Sequence, residues 1–186
     1  RVKPGQKVVL IGHSSGGGLV VRFAGGRHGP LIDAAVLLAP FLHHQAPTMR
    51  ANAGGWSQPL LRRLIALSML NAVGITAWNH LTVIQFNMPA KVLDGPLGHL
   101  ATTSYSYRLN KSFAPRHDYL KDINSLPSFL VVAGSADEAF VASAYKPLMQ
   151  GATSLGQYQM VTGTGHLDLV DAPETLDAIK GFIGEF

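Results

Sequence analysis

Residues 7–18 read Lys-Val-Val-Leu-Ile-Gly-His-Ser-Ser-Gly-Gly-Gly, and the fold turns on this stretch. The apolar run Val8, Val9, Leu10, Ile11 predicts a β-strand, and Gly12-His13-Ser14-Ser15-Gly16 follows it with the pattern G-x-S-x-G. A helix-compatible segment comes next, so the pattern stands between a strand and a helix, the setting in which it has meaning. A serine on a sharp turn at the end of a strand projects its Oγ above the sheet. Such a turn is expected to crowd the positions two before and two after the serine, and Gly12 and Gly16 occupy them. The helix that starts here points backbone N–H groups toward the serine, where a developing oxyanion would meet donors. The competing reading is a glycine-rich strand-to-helix turn with an incidental serine.

The chain has 186 residues, 47% of them hydrophobic and 14% charged, which suits one globular domain with a sizeable core and room for an inserted subdomain. No signal peptide is visible, and no run of 18 strictly apolar residues marks a membrane-crossing helix. The first residue is Arg1 and lies almost against the first strand, so the chain is read as lacking its natural beginning. The compartment stays open between soluble, cytoplasmic and membrane-peripheral. With no cysteine, disulfides, thiolate zinc sites and a cysteine nucleophile are excluded. The net charge is +4, and the basic residues, among them Arg22, Arg27, Arg50, Arg62, Arg63, Arg108, Lys111 and Arg116, are scattered along the chain. Without a dense run or interleaved aromatics, that charge predicts a solvated basic surface and no nucleic-acid partner.

Beyond the opening strand, a helix is expected over residues 17–25, with Leu19, Val20 and Phe23 on one face. Residues 34–39 are almost continuously apolar, as strands covered on both faces are. Further strands are expected at 129–133 and 158–161, and helices at 141–150 and 175–182. The last helix opens with Asp171-Ala172-Pro173-Glu174, which predicts an N-cap at Asp171 and a proline in the first turn. Strands alternating with helices predict an α/β fold with a parallel sheet of about four strands and flanking helices.

The alternation breaks over residues 43–115, too long a span for a structureless loop. The expected organisation is therefore a core of residues 1–42 and 116–186 with a mainly helical cap, 43–115, inserted between. No charged residue occurs from Leu64 to Ala90, and residues 60–78 admit two readings, a membrane-inserted segment or a cap helix pair over a pocket. Ser68, Asn71, Thr76, Asn79 and His80 interrupt the apolar run and favour the cap. A greasy cap would suit a small-molecule substrate with an apolar part, and contact with lipid or a membrane periphery.

A serine hydroxyl needs a positioned base, and the base needs orienting. In a parallel sheet the loops leaving the C-terminal strand ends share one edge. The strand at 129–133 runs into Gly134-Ser135-Ala136-Asp137-Glu138, and the strand at 158–161 into Thr162-Gly163-Thr164-Gly165-His166. The chain order Ser14, Asp137, His166 is the order that accompanies G-x-S-x-G on a strand-to-helix turn.

On these residues the chain resembles the α/β-hydrolase superfamily, and within it the capped enzymes similar to monoacylglycerol lipases, lysophospholipases and serine aminopeptidases. The resemblance covers residues 8–17 as nucleophile strand and elbow, 130–138 as the acid loop and 163–167 as the histidine loop, with the insertion after Ala39-Pro40 where that family carries its cap. It implies Ser14 as nucleophile, His166 as general base and then acid, Asp137 as the orienting carboxylate, and the Ser15 N–H as one oxyanion donor. It also implies a second donor from a loop upstream of the elbow. Only residues 1–6 precede the elbow strand, so this donor and the family's first strands are expected to be absent, and the isolated chain weakly active or inactive.

Rivals exist for several positions. Glu138 adjoins Asp137; Asp168 is expected to cap the helix after His166; His13 is expected to line the site or pack; Ser15 lacks a glycine two places before it. His43 and His44 lack the spacing of a metal pair on one helix face, and His80, His99 and His117 lack acidic partners at ligand spacing. No metal or cofactor is expected, since neither phosphate-loop pattern, G-x-x-x-x-G-K-[ST] or G-x-G-x-x-G, occurs. The leading expectation is a serine ester hydrolase working through an acyl-enzyme. The alternatives are an amidase or aminopeptidase-like hydrolase, and a non-catalytic binding module.

Overall fold

The structure, a computed structural model, describes residues 5–185; residues 1–4 and 186, Arg1 among them, lie outside the described residues. The chain divides into two compact units, Arg1–Arg50 with Ala114–Phe186, and Ala51–Phe113. The larger unit begins with β1 (Val9–His13), α1 (Ser15–Ala24) and β2 (Ala34–Leu38). The inserted unit holds β3 (Ser57–Pro59), α2 (Leu61–Ala72), β4 (Thr82–Phe86), α3 (Ala90–Leu93), β5 (Ser104–Ser106) and α4 (Tyr107–Phe113). The larger unit resumes with α5 (Tyr119–Asn124), β6 (Ser128–Gly134), α6 (Tyr145–Gln150), β7 (Gly156–Val161) and α7 (Pro173–Ile183).

In the larger unit β1, β2, β6 and β7 form one parallel sheet in that order, as the alternation predicts. The central β2 is buried at every position, which is why Ala34-Ala35-Val36-Leu37-Leu38 carries no polar alternation. In the ladder His13 pairs with Leu38, Leu38 with Val132, and Gly134 with Val161. The strands thus end along a common edge, and the loops after β1, β6 and β7 leave from it. The segment from His43 to Arg50 is tied to this unit: Met49 bridges Phe140, and the Val141 N–H donates to the Thr48 carbonyl at 2.8 Å.

Two expected caps are corrected. The N-cap of α7 is Ala172, not Asp171, and its side chain makes no capping bond. Pro173 takes the first helical position and keeps Ala172 extended (φ −60°, ψ 132°), which starts the helix one residue later. Asp168 begins a short 3₁₀ turn, Asp168–Val170, whose N-cap is Leu167.

In the inserted unit β3, β4 and β5 form an antiparallel sheet that the sequence reading did not anticipate. Residues 82–86, Thr-Val-Ile-Gln-Phe, are a β-branched run hidden within a long apolar stretch. Instead of a helix pair, residues 60–78 form the single helix α2 and a turn at Gly74, whose φ is +82°. Leu67 of α2 packs with Val83 and Tyr107, and Leu64, Leu70, Leu81 and Ile84 close around them. Three of the polar residues that interrupt the run have side-chain partners: the Tyr107 hydroxyl donates to Ser68 Oγ at 3.2 Å, and Asn71 and Asn79 exchange amide hydrogen bonds of 2.7 and 2.9 Å. Among the described residues no helix is long and apolar enough to cross a membrane.

Candidate active site

The turn after β1 is strained and fixed from several sides. Ser14 has φ 54° and ψ −121°, a region that L-residues avoid and that costs about 1–3 kcal/mol. Its N–H donates to the Leu38 carbonyl at 2.9 Å, and its own carbonyl accepts from the N–H groups of Gly18 at 3.1 Å and Phe41 at 2.9 Å. These bonds hold the strained turn against β2 and the segment after it. Ser15 opens α1, so its N–H is among the first-turn donors that the helix ladder leaves unused.

The glycine requirement is as expected at Gly12 and not at Gly16. A Cβ on Gly12 would lie 2.5 Å from the Gly16 carbonyl oxygen, whereas one on Gly16 meets nothing within 4 Å. The two positions share one close approach, and only the Cβ vector of residue 12 points into it. The other tight glycines lie further along α1: a Cβ on Gly17 would be 2.8 Å from the Pro40 Cβ, and one on Gly18 would be 2.2 Å from the Phe41 carbonyl oxygen. They let α1 approach the segment after β2.

Asp137 stands in the loop after β6 and is 1% exposed. Its Oδ1 accepts from the N–H groups of Ala139 and Phe140, both at 2.8 Å, and Oδ2 accepts from His166 Nδ1 at 2.8 Å. Arg50 Nε donates to the backbone carbonyl of Asp137 at 2.8 Å. Both carboxylate oxygens are engaged, and their direction is set by backbone donors rather than by mobile side chains. Beneath this loop the Tyr145 hydroxyl donates to the Pro40 carbonyl at 2.9 Å. Burial, and then the charge of Asp137, push that phenol well above its usual range, so it remains a donor.

His166, 1% exposed, follows β7 and closes the constellation, with Nε2 lying 3.0 Å from Ser14 Oγ. A carboxylate only accepts, so Nδ1 carries the ring proton and Nε2 is free to accept from the serine hydroxyl. The three side chains therefore form a continuous chain of hydrogen bonds, Ser14 to His166 to Asp137. The rivals lie elsewhere: Glu138 turns its carboxylate to the His166 backbone N–H at 2.7 Å, and His13 Nε2 lies 3.0 Å from the His166 carbonyl. Both contacts were missed in the sequence, where the only hint is adjacency to Ser14 and Asp137.

The remaining histidines lie outside this chain of bonds. His43 is buried, stacks on Tyr119 at 5.1 Å and meets the His44 ring at 4.2 Å with a 41° tilt, and its Nδ1 accepts the Gln45 N–H at 3.2 Å. Burial, with His44 and His117 beside it, lowers its pKa. In the inserted unit His80 Nδ1 donates to the Ala77 carbonyl at 3.1 Å. Among the described residues no group of three His, Cys, Asp or Glu side chains is placed to hold a metal ion.

The chain is similar in structure to a monoacylglycerol lipase of Paleococcus ferrophilus, with a TM-score of 0.62 and 17% identity, over 97% of this chain and 68% of that one. It is also similar to a bromoperoxidase of Bacillus anthracis (TM-score 0.61, 18% identity, 96% and 68% covered). A carboxylesterase of the thaumarchaeon Nitrososphaera gargenis gives a TM-score of 0.56 at 16% identity, with 96% and 65% covered. The chain spans about two thirds of the length of these proteins. At such identities the likeness concerns the fold, and their names differ in the reaction they denote. Among curated proteins none matches the sequence. A sequence profile of the alpha/beta hydrolase family does match, over residues 2–179, and with the parallel sheet and the strained serine turn in agreement, the chain belongs to that family.

Proposed function

We propose that this chain carries the reacting groups of a serine hydrolase that cleaves carboxylic esters with a hydrophobic acyl part. The observation that carries the reading is the bonded series Ser14 Oγ, His166 Nε2 at 3.0 Å, and His166 Nδ1 to Asp137 Oδ2 at 2.8 Å. Ser14 Oγ attacks the ester carbonyl carbon while Nε2 of His166 takes its proton. The carbonyl oxygen gains negative charge, and the Ser15 N–H at the start of α1 supplies one donor to it. Collapse of the tetrahedral intermediate breaks the bond to the alcohol, which leaves with the proton from Nε2. A water then gives its proton to Nε2 and attacks the acyl carbon, releasing the acid and restoring the Ser14 hydroxyl. Asp137, buried and aligned by two backbone donors, holds the imidazole in the required tautomer and stabilises the imidazolium.

The inserted unit supports the apolar preference. Leu61, Ile65 and Met69 recur every four residues of α2 and are exposed, while Leu67 on the opposite face is buried. Residues 51–113 hold five basic residues against Asp94 alone, so the whole net charge of +4 resides there. An apolar stripe with a positive charge excess suits contact with lipid as well as a hydrophobic substrate.

The test is labelling of Ser14 by a fluorophosphonate, followed by turnover of p-nitrophenyl esters of rising acyl length against amino-acid anilides. The expected result is labelling abolished in Ser14→Ala, with ester turnover that rises with chain length. Esterase activity surviving in Ser14→Ala sinks the mechanism, and faster anilide than ester turnover favours the amidase reading.

A further inference from the structure

His166 is held by more than the two hydrogen bonds of its ring. Its backbone N–H donates to Glu138 Oε2 at 2.7 Å, and its backbone carbonyl accepts from His13 Nε2 at 3.0 Å. A carbonyl only accepts, so Nε2 of His13 carries a proton. The His13 ring also lies against the ring of His166, 4.5 Å between centroids and tilted by 38°, while Phe140 meets the same ring edge-on at 5.2 Å.

The positions of the two residues in the chain are informative. His13 directly precedes Ser14, and Glu138 directly follows Asp137. The turn and the acid loop thus each supply one group to the ring of His166 and one to its peptide. The loop that carries His166 needs such support, because residues 162–165 are Thr-Gly-Thr-Gly and Gly163 sits at φ +73°. Two glycines leave that segment with more backbone freedom than most sequences. Gly165 has a second use: a Cβ there would lie 3.1 Å from Glu138 Oε1, so glycine admits the carboxylate to the peptide. The same loop is bound to the acid loop at Ser135, whose Oγ accepts the Gly163 N–H at 2.8 Å, and at Ala136, whose N–H donates to the Thr164 carbonyl at 3.1 Å.

We propose that His13 and Glu138 form a clamp on the His166 backbone, fixing its peptide so that the imidazole stays in register with both Ser14 and Asp137 through proton transfer. They are positioning residues: each bonds to the His166 backbone and not to the atoms between which the proton moves. The inference rests on the triad reading above and deepens it. One further property suits His13 to the place. When His166 takes the serine proton it becomes a cation, and a second cation in ring contact would oppose that step. Burial and the neighbouring His166 lower the His13 pKa to about 4, so His13 donates its hydrogen bond as a neutral ring.

The clamp predicts a pattern that simple packing does not. Glutamine at position 13 keeps a neutral N–H donor at the reach of Nε2, and glutamine at position 138 keeps an acceptor oxygen; alanine removes each. His13→Ala and Glu138→Ala are expected to slow fluorophosphonate labelling of Ser14 tenfold or more, and His13→Gln and Glu138→Gln to restore most of the rate. Amide hydrogen exchange at His166, read by NMR, is expected to speed up at least tenfold in Glu138→Ala and to return toward wild type in Glu138→Gln. Alanine variants that label at the wild-type rate, or glutamine variants as slow as alanine, overturn the clamp while leaving the hydrolase reading intact. A wild-type chain that labels no faster than Ser14→Ala, even on prolonged exposure to excess probe, overturns the hydrolase reading instead. In that case exchange at His166 decides the clamp, and equal exchange in wild type and Glu138→Ala rejects it.

Discussion

Gly12→Ala and Gly16→Ala make a paired test of how the serine turn is built. A Cβ at residue 12 would lie 2.5 Å from the Gly16 oxygen, 2.6 Å from the Gly16 carbonyl carbon and 2.7 Å from the Gly17 nitrogen. Ordinary contact begins near 3.4 Å, so relief requires about 1 Å of movement, and all three of these atoms are backbone of the first turn of α1. Overpacking of this kind costs about 1–3 kcal/mol, and rigid backbone on one side places Gly12→Ala at the upper end. For a chain of this size that is a fall in Tm of about 6–12 °C. The turn also aims Ser14, and under the proposed mechanism a displacement of that order at the nucleophile costs about 10²-fold in rate. Residue 16 is different: its Cβ meets nothing, its φ is not positive, and alanine in a helix is favoured over glycine by up to about 1 kcal/mol. Thermal melts followed by circular dichroism are expected to show Gly12→Ala well below wild type and Gly16→Ala at or slightly above it. Fluorophosphonate labelling is expected to drop sharply in Gly12→Ala. Equal destabilisation by the two substitutions would refute the assignment of the crowding to residue 12.

Three further outcomes are expected. Asp137→Asn keeps the acceptor for Ala139 and Phe140 but can present an amide N–H to His166 Nδ1, which selects the wrong tautomer; labelling of Ser14 is expected to fall roughly 10⁴-fold with little change in melting temperature, and a loss under tenfold counts against the role given to Asp137. His13 is neutral in the folded chain down to a pKa of about 4, whereas its ordinary value is 6.5, so the unfolded chain binds more protons between those values and stability falls as pH drops through that window. The full shift is worth at most roughly 3 kcal/mol, none of it felt above pH 6.5, so urea unfolding at pH 7 and pH 4.5 is expected to show His13→Gln losing less stability on acidification than wild type; parallel losses would argue otherwise. Arg116 pairs with Asp122, which is 4% exposed, and its removal leaves a buried carboxylate uncompensated; because Arg116 itself is 42% exposed, Arg116→Ala is expected to cost about 1–3 kcal/mol, largely recovered by adding Asp122→Asn, as measured by denaturant unfolding.

Much of the fold was legible because the sheet-forming segments are short apolar runs bounded by turn residues. The runs at 8–11, 34–39, 129–133 and 158–161 each mark a strand of the parallel sheet, with Val8 just before β1 and Ala39 just past β2. The inserted unit was less legible. Residues 82–86, Thr-Val-Ile-Gln-Phe, are too short a run to carry a period that separates helix from strand, so they were lost among helix formers, and their pairing with β3 and β5 is a long-range choice. The caps of α7 and of the turn at Asp168–Val170 were misplaced because a capping residue type is not a capping bond, and proline geometry overrode the preference for aspartate.

The sequence by itself determined the chemistry on offer: a serine on a strand-to-helix turn, with a carboxylate and an imidazole each following a later strand in a fixed order. Strand ends share an edge in a parallel sheet, so chain order was enough to predict that Ser14, Asp137 and His166 meet. Only the tertiary structure decided which groups hold them. Asp137 and Glu138 are adjacent carboxylates that chain position alone does not separate, and the direction of two neighbouring side chains depends on the loop path, which sends one to the ring of His166 and the other to its peptide. The close contact at the turn likewise belongs to Gly12 and not to Gly16, because a Cβ vector is fixed by backbone direction rather than by spacing in the chain.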